Sequence, residues 1–568
     1  MKLLFKITVL VTGLLSTGSA TQQAHHAAST ILEDVIDKAG VSANRDLQQG
    51  PPPIAPEIGI VFAAFRALIP PLLAYETPMA VRFASYYDDV FWNCIAAYSD
   101  NFFDGITKER PQVIVEDEAL HNSANRAQCG MQAAATYSFL AIPGTRAPFK
   151  EAMANLGIIV EDSLNKDVAA CDDDIDCLRT VAADNGFAPF IMGHIVGKLV
   201  HDLSLVDGFN ELGTDNGCVV NCRAFKDTSG YKPKSSTSSQ PPKQRRLRSM
   251  KKSDKGKQGD DEEEDSAPPA AASIDTSWKP LVEDNGLGFF YTQEHVTPHL
   301  GKKAAFRALP ESDRKDRVAR EPNYSSTRRI EALEVIERMA TLDDSKKMAV
   351  EVFDDKLNVG AILVESFIGK VLTDGYMDDT LAQPGLILSY ERLVHFVNGF
   401  THVEYDTVII AWKEKIHYDL IRPTSIIKDW GDELITTWAP GGIQTFPARD
   451  FEAYKRVMPH SEYVSGSACL FEGLKEYVNG YLTNIGLDTA TFAMQFGPFQ
   501  PGSSQVEPGV VPADELMLFY PNMDAMAHAG GQSRLDGGMH FGESVPAAEE
   551  MCSGIGDYGV ARSLSLLG

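Results

Sequence analysis

Apolar side chains recur at three- and four-residue intervals over long reaches of this chain, and strict alternation is rare. Between Ile58 and Leu205 one such set is Val61-Phe62 with Phe65 and Leu68-Ile69, in a background rich in alanine. A helix brings residues three and four apart onto one face, whereas a half-buried strand needs a period of two. Alanine is also the strongest helix former. The pattern returns from Arg328 to about Leu372. There Ile330, Leu333, Ile336 and Met339 come every three residues, with Glu331, Glu334 and Glu337 one step behind, which predicts an apolar stripe with an acidic flank. Leu386 to Trp412 is another helix-like run with few breakers. No alternation of strand and helix patterns and no internal repeat interrupts this. The expectation is an all-α chain arranged as helical bundles.

At 568 residues the chain is too long for one ordinary core, which predicts two or more fused units. A formal net charge of −26 disfavours nucleic acid and anionic membrane as partners. It also makes any local cluster of Lys and Arg informative. Residues 1–20 read as a cleaved secretory signal. Lys2 and Lys6 precede an apolar run from Ile7 to Leu15, and Ser16 to Ala20 are small. That run is too short to span a bilayer, and no later stretch is long and apolar enough. The expected location is therefore extracellular. Residues 21–55 are a polar leader ending in Pro51-Pro52-Pro53.

An N-terminal helical region follows over 56–229. Residues 230–273 then change character: an all-hydroxyl run from Ser235 to Ser239, a basic block from Lys243 to Lys257, and an acidic run from Asp260 to Asp265. Such composition offers little to build a core from and predicts a linker or surface insertion. A C-terminal helical region spans 274–568. The eight cysteines fit disulfides in a secreted chain better than zinc, with Cys171 near Cys177 and Cys218 near Cys222 able to close local loops.

Three patches in the C-terminal region carry chemistry. Lys415 and Arg422-Pro423 come first. Seven residues is about two helical turns, so on one helix both cations would point the same way. Pro423 disfavours helix at Arg422, which places Arg422 at a helix end. Ser465-Gly466-Ser467 precedes an apolar run and reads as a helix start, where a hydroxyl and a glycine amide can meet an anion. Ser533-Arg534, Gly537-Gly538 and His540 follow, with the glycines allowing a turn that swings the imidazole back. Taken singly, each has an ordinary reading: two solvated cations, a serine N-cap and a structural histidine. Together they supply cations, hydroxyls, an amide and an imidazole for holding a tetrahedral or trigonal-bipyramidal oxyanion.

In this order the patches resemble the vanadium-dependent haloperoxidases, which share a superfamily with the type 2 phosphatidic acid phosphatases. The resemblance covers roughly the last third of the chain. It implies two four-helix bundles, with the anion site in the C-terminal one and vanadate as cofactor. By motif position it implies His540 as the vanadium ligand and Lys415, Arg422, Ser465, Gly466 and Arg534 as the groups holding the vanadate oxygens. Trp412 and His460 fall where the family places halide-pocket residues.

Two departures stand out. Ser467 occupies the place of the family's acid–base histidine and is a poor proton shuttle, so His460 is a candidate to share the proton handling. Ser544, four residues after His540, stands where the superfamily often has aspartate, with Glu543 adjacent. The activity implied is oxidation of halide by hydrogen peroxide to a hypohalous-acid-like species, which can then halogenate an organic substrate. The alternative is a secreted acid phosphatase with His540 as nucleophile, forming a phosphohistidine. A scaffold with a vestigial anion site is the third reading.

Overall fold

A computed structural model describes most of residues 57–567; the longest stretches outside the described residues are 62–68, 103–112, 234–274 and 377–387. The expected signal segment 1–20, the leader 21–55 and nearly all of 230–273 lie outside them.

Helix α1 (Thr77–Ala97) opens with Pro78 in its first turn, where a missing N–H costs nothing and the fixed φ suits a helix. Helix α2 (Ser123–Ala141) is capped by the Asn122 side chain, which accepts from the Asn125 N–H. Helix α3 (Pro189–Ser204) packs on α2 with Gly193 and Gly197 in the contact. A Cβ on either would meet α2 atoms at 2.5 and 2.6 Å, so only glycine lets the backbones approach this closely. A disulfide between Cys94 and Cys129 ties α1 to α2.

Helices α4 (Arg329–Met339), α5 (Asp344–Asp354) and α6 (Lys356–Asp374) replace the single long pattern read from Arg328 to Leu372. The expected α4 stripe is corrected here. Ile330 and Leu333 are exposed, and the buried face is Ala332, Val335, Ile336 and Met339. A three-residue spacing drifts around a helix of 3.6 residues per turn, so its first members rotate out to solvent.

Helix α7 (Tyr390–Tyr418) is the axle of the molecule. Its 29 residues span about 43 Å. Ser389 caps its start by accepting from the Arg392 N–H. Nearly every residue from Tyr390 to Lys415 is buried, because α1 packs on one side and α8 (Gly466–Asn484) and α11 (Ile555–Leu564) on the other. Helices α9 (Met523–Asp536) and α10 (Ser544–Cys552) complete the C-terminal bundle around α8, and Cys469–Cys552 joins α8 to α10. The remaining disulfides are the two local ones, Cys171–Cys177 and Cys218–Cys222.

The strands among the described residues form three two-stranded antiparallel hairpins, so the all-α expectation holds in substance. No helix of the described residues is long and apolar enough to cross a membrane. One apolar core runs from Ile58 to Leu566. A smaller one, including Met339, Trp438, Met539 and Phe541, sits beneath the hairpin of β1 (Leu434–Ala439) and β2 (Gly442–Pro447). The three patches lie where these two cores meet, on chain segments anchored from both sides.

Candidate anion-binding site

The patches converge on one cavity of about 20 Å³, whose wall includes Arg422, Gly466, Ser467, Arg534 and His540. Trp412 and His460 line it as well. Lys415 and Arg422 do not reach it along one helix as expected. Helix α7 stops at Tyr418, and Asp419 turns left-handed with φ of 51°. Arg422 is the extended N-cap of the short helix Pro423–Lys428, since Pro423 excludes helix at that residue.

Arg422 is 2% exposed and meets no carboxylate in its hydrogen bonds. Its Nε donates to the His460 carbonyl (3.0 Å), Nη1 to the Met539 carbonyl (2.8 Å) and to His540 Nε2 (3.1 Å), and Nη2 to His460 Nδ1 (2.9 Å). Burial, with Arg534 nearby, lowers its proton affinity to about 10. Arg534 donates from Nη2 to Asp354 (3.0 Å) and to the Met539 thioether (3.0 Å). Its Nε and Nη1 are buried without a hydrogen-bond partner among the described residues.

His540 reaches the cavity because Gly538 takes φ of +75°, with Met339 Sδ 2.4 Å from where a Cβ would stand. The imidazole faces two ways. Nε2 accepts from Arg422, and Nδ1 donates to Glu462 Oε1 at 2.9 Å, with Ser544 Oγ at 3.2 Å. That pattern fixes the neutral tautomer, with Nε2 engaged by Arg422 at the cavity wall. Burial, followed by Arg422, Lys415 and Arg534, depresses its proton affinity well below the usual histidine range.

Glu462 was not singled out from sequence, yet it is the carboxylate that holds His540. It is fully buried and also accepts from the Phe541 N–H (3.1 Å) and the Tyr324 hydroxyl (3.3 Å). Glu543, the nearer candidate in sequence, turns outward to Arg320 instead.

Two expected wall residues stand behind the wall. Lys415 Nζ donates to the carbonyls of Ser461 (3.0 Å), Glu462 (3.1 Å) and Val464 (2.5 Å). It thus braces the loop before α8, and its charge reaches the cavity only through space. Burial, then Arg422, holds its proton affinity well below the usual lysine range, with Glu462 opposing. Ser465 is the N-cap of α8, its Oγ accepting from the Ala468 N–H at 3.3 Å.

On the remaining side the His460 and Trp412 rings lie 4.8 Å apart. Because His460 Nδ1 accepts from Arg422, and because burial, Lys415 and Arg422 disfavour its charge, His460 is neutral. The His295 ring lies beyond, its centroid 6.4 Å from that of His460. Lys356, the first residue of α6, lines the cavity too and was also missed. Burial and Arg534 lower its amine to about 8. Asp354 and Lys356 sit at an ordinary helix junction, and only the fold brings them beside Arg534.

The residues present suit a tetrahedral oxyanion. Arg534 offers two unused donors, and His540 presents a neutral nitrogen. Gly466 leaves an open space, because a Cβ there would touch nothing closer than Trp412 at 3.5 Å and would only fill the cavity wall.

Comparison with known proteins agrees with this geometry. A family model described as the VCPO second helical-bundle domain matches residues 395–567. The match takes in the C-terminal bundle and leaves the N-terminal helices outside it. That stretch contains every residue singled out in the sequence. No curated protein sequence matches the chain. Among solved structures, the chain is similar to a holo-type bacterial vanadium-dependent chloroperoxidase, with TM-score 0.67 and 18% identity, over 88% of this chain and 93% of that one. Its apo-type counterpart gives 0.66 and 18%, over 87% and 95%. A bacterial vanadium-dependent iodoperoxidase gives 0.51 and 14%, over 89% and 96%. The likeness therefore extends well beyond the VCPO-type bundle, to the fold of nearly the whole chain.

Proposed function

We propose that the cavity holds vanadate and that the protein oxidises halide with hydrogen peroxide to a hypohalous-acid-like halogenating species. The observation that carries this is the pair of unused Arg534 donors in the same cavity wall as a neutral His540, within a bundle that matches the VCPO model. His540 Nε2 is the metal ligand in this reading. Arg422, Arg534, the Gly466 amide and the Ser467 hydroxyl hold the oxygens, while Lys415 adds charge from behind the wall. Bound vanadate supplies Lewis-acid activation of peroxide. Trp412 and neutral His460 form the halide side. Glu462 keeps His540 in the ligating tautomer, as carboxylates behind metal-bound histidines do.

One observation favours the phosphatase as a second reading. Glu462 provides the carboxylate that Ser544 does not, and a histidine nucleophile needs the same orientation. We also propose that the chain acts outside the cell. All of its cysteines pair in disulfides, which persist in oxidising compartments.

The test is bromide and chloride oxidation with added vanadate and peroxide, run beside hydrolysis of an aryl phosphate. Vanadate-dependent halide oxidation that His540→Ala abolishes is expected. Phosphate ester hydrolysis with no halide oxidation would overturn the leading reading.

A further inference from the structure

Three titratable side chains near the cavity are short of partners. Glu404 of α7 is 4% exposed, and its carboxyl makes no hydrogen bond among the described residues. Asp88 of α1 lies near Thr401, and its buried Oδ2 has no partner among the described residues. Lys356 donates only to the Asp354 carbonyl at 3.3 Å and forms no ion pair among the described residues. Buried carboxyls are normally satisfied, so two exceptions close to a half-buried ammonium without an ion pair call for a cause.

Their placement gives one. Helices α1, α6 and α7 share a seam with a cavity at each end. Thr77, Lys356 and Val408 reach the anion cavity, one from each helix. At the other end Asp88, Val364 and Val397, again one from each, reach a second cavity of about 20 Å³. Thr77 to Asp88 and Val397 to Val408 each cover about 16 Å of helix. Glu404 lies between, one turn from Thr401 and one from Val408. It feels Asp88 on one side and Lys356 on the other. Burial brings Asp88, Glu404 and Lys356 to nearly the same proton affinity, about 8. The other charges facing the seam are Arg534, Asp354 and Asp355, all beside Lys356. The neighbouring Asp89 turns away to His402, Asn398 and Arg307. The second cavity has room for at least one water.

We propose that Asp88, Glu404 and Lys356, bridged by water, form a proton-conducting thread along this seam that supplies the proton consumed by halide oxidation. The inference rests on the reading in the preceding subsection. Peroxide, halide and one proton give hypohalous acid and water. Peroxide is reduced as its O–O bond breaks, and halide is oxidised by two electrons as the halogen–oxygen bond forms. The Lys356 ammonium protonates the departing oxygen. Its amine recovers a proton from Glu404, and Glu404 recovers one from Asp88 and the water of the second cavity. Ser467 leaves the reaction without the acid–base imidazole the resemblance led one to expect, and this thread fills that role.

The experiment uses Glu404→Gln, Glu404→Asp and Asp88→Asn in the full chain, with vanadium content measured first to show an intact cavity. Glu404→Gln should lower kcat by about tenfold. Because the anion that favours the Lys356 charge is gone, the alkaline limb of its pH profile should move about one unit toward acid. Asp88→Asn should lower kcat less, and Glu404→Asp should restore part of the loss. Independently of turnover, infrared titration of the vanadate-free protein should show protonated carboxyl bands that titrate near pH 8 and weaken in each amide variant. Wild-type turnover with unaffected variants, or absence of those bands, overturns the thread alone. A wild type that oxidises no halide overturns the underlying reading, and the thread with it.

Discussion

Two of the places where the molecule buries arginine treat it in opposite ways. On α1, Arg82 is fully enclosed and its charge is cancelled: Nε meets Asp207 at 2.6 Å, Nη1 meets Glu211 at 2.8 Å, and Nη2 donates to the Ser204 carbonyl at 2.6 Å. In the C-terminal bundle Arg422 bonds only to carbonyls and imidazoles, and Arg534 has a single carboxylate with two donors left over. A buried cation is costly without a counter-charge. The first arrangement is compensated by the protein itself and is structural. The second is under-compensated, and the missing negative charge is what a bound oxyanion provides. Counting arginines would not separate the two regions; the carboxylates around them do.

Exchanging the same residue type in the two places is the sharpest test. Arg82→Met should destabilise the fold by about 3–5 kcal/mol, because Asp207 and Glu211 are then buried without their cation. Chemical denaturation checks this, and an unchanged midpoint would erase the contrast. Arg534→Met should leave the midpoint within about 1 kcal/mol, since Asp354 keeps Lys455 at 3.7 Å. It should weaken vanadate retention on dialysis by about 2–3 kcal/mol, the worth of hydrogen bonds to a charged group. Vanadium content equal to wild type would count against Arg534 as a ligand-holding group.

Gly466→Ala probes the empty side of the cavity without touching a charge. The added methyl meets only ordinary contacts, so stability should hold while anion affinity falls by about 1–2 kcal/mol. Equal losses in both would make Gly466 a packing glycine. The smallest effect concerns pH. Asp88 and Glu404 have folded proton affinities raised to about 8 by burial, above their unfolded values. Above that pH both are ionised in either state and their burial is most costly. As pH falls below about 8 the folded protein binds their protons first, so stability rises by about 1.4 kcal/mol per pH unit for each group. Below about 6.5, neutral His295, His460 and His540 oppose this, because the unfolded chain protonates them first. Denaturation midpoints between pH 9 and 6.5 check the first part, and Glu404→Gln should flatten the slope.

Helicity was legible because it is a local property: an i, i+3, i+4 pattern reports a face whatever packs against it. Even so, Ile330 and Leu333 pointed the wrong way, since which edge of a stripe is covered depends on a neighbouring helix. The cavity residues were legible as a set because charged side chains, glycines and a histidine recur in a recognisable order. Their individual stations were not. Lys415 and Ser465 carry the right chemistry but spend it on carbonyls and a helix cap. Glu462 and Lys356 have no local pattern that marks them.

The order of residues by itself determined the helical class, the three converging patches and the oxyanion-binding character of the C-terminal bundle, because these follow from periodicity and side-chain chemistry. Only the tertiary structure decided which carboxylate orients His540, which cations keep unused donors, and that Asp88, Lys356 and Glu404 of α1, α6 and α7 share one seam. Those outcomes depend on distances across the sequence, such as Glu462 to His540 or Asp88 to Glu404, and electrostatics acts on distance in space rather than along the chain.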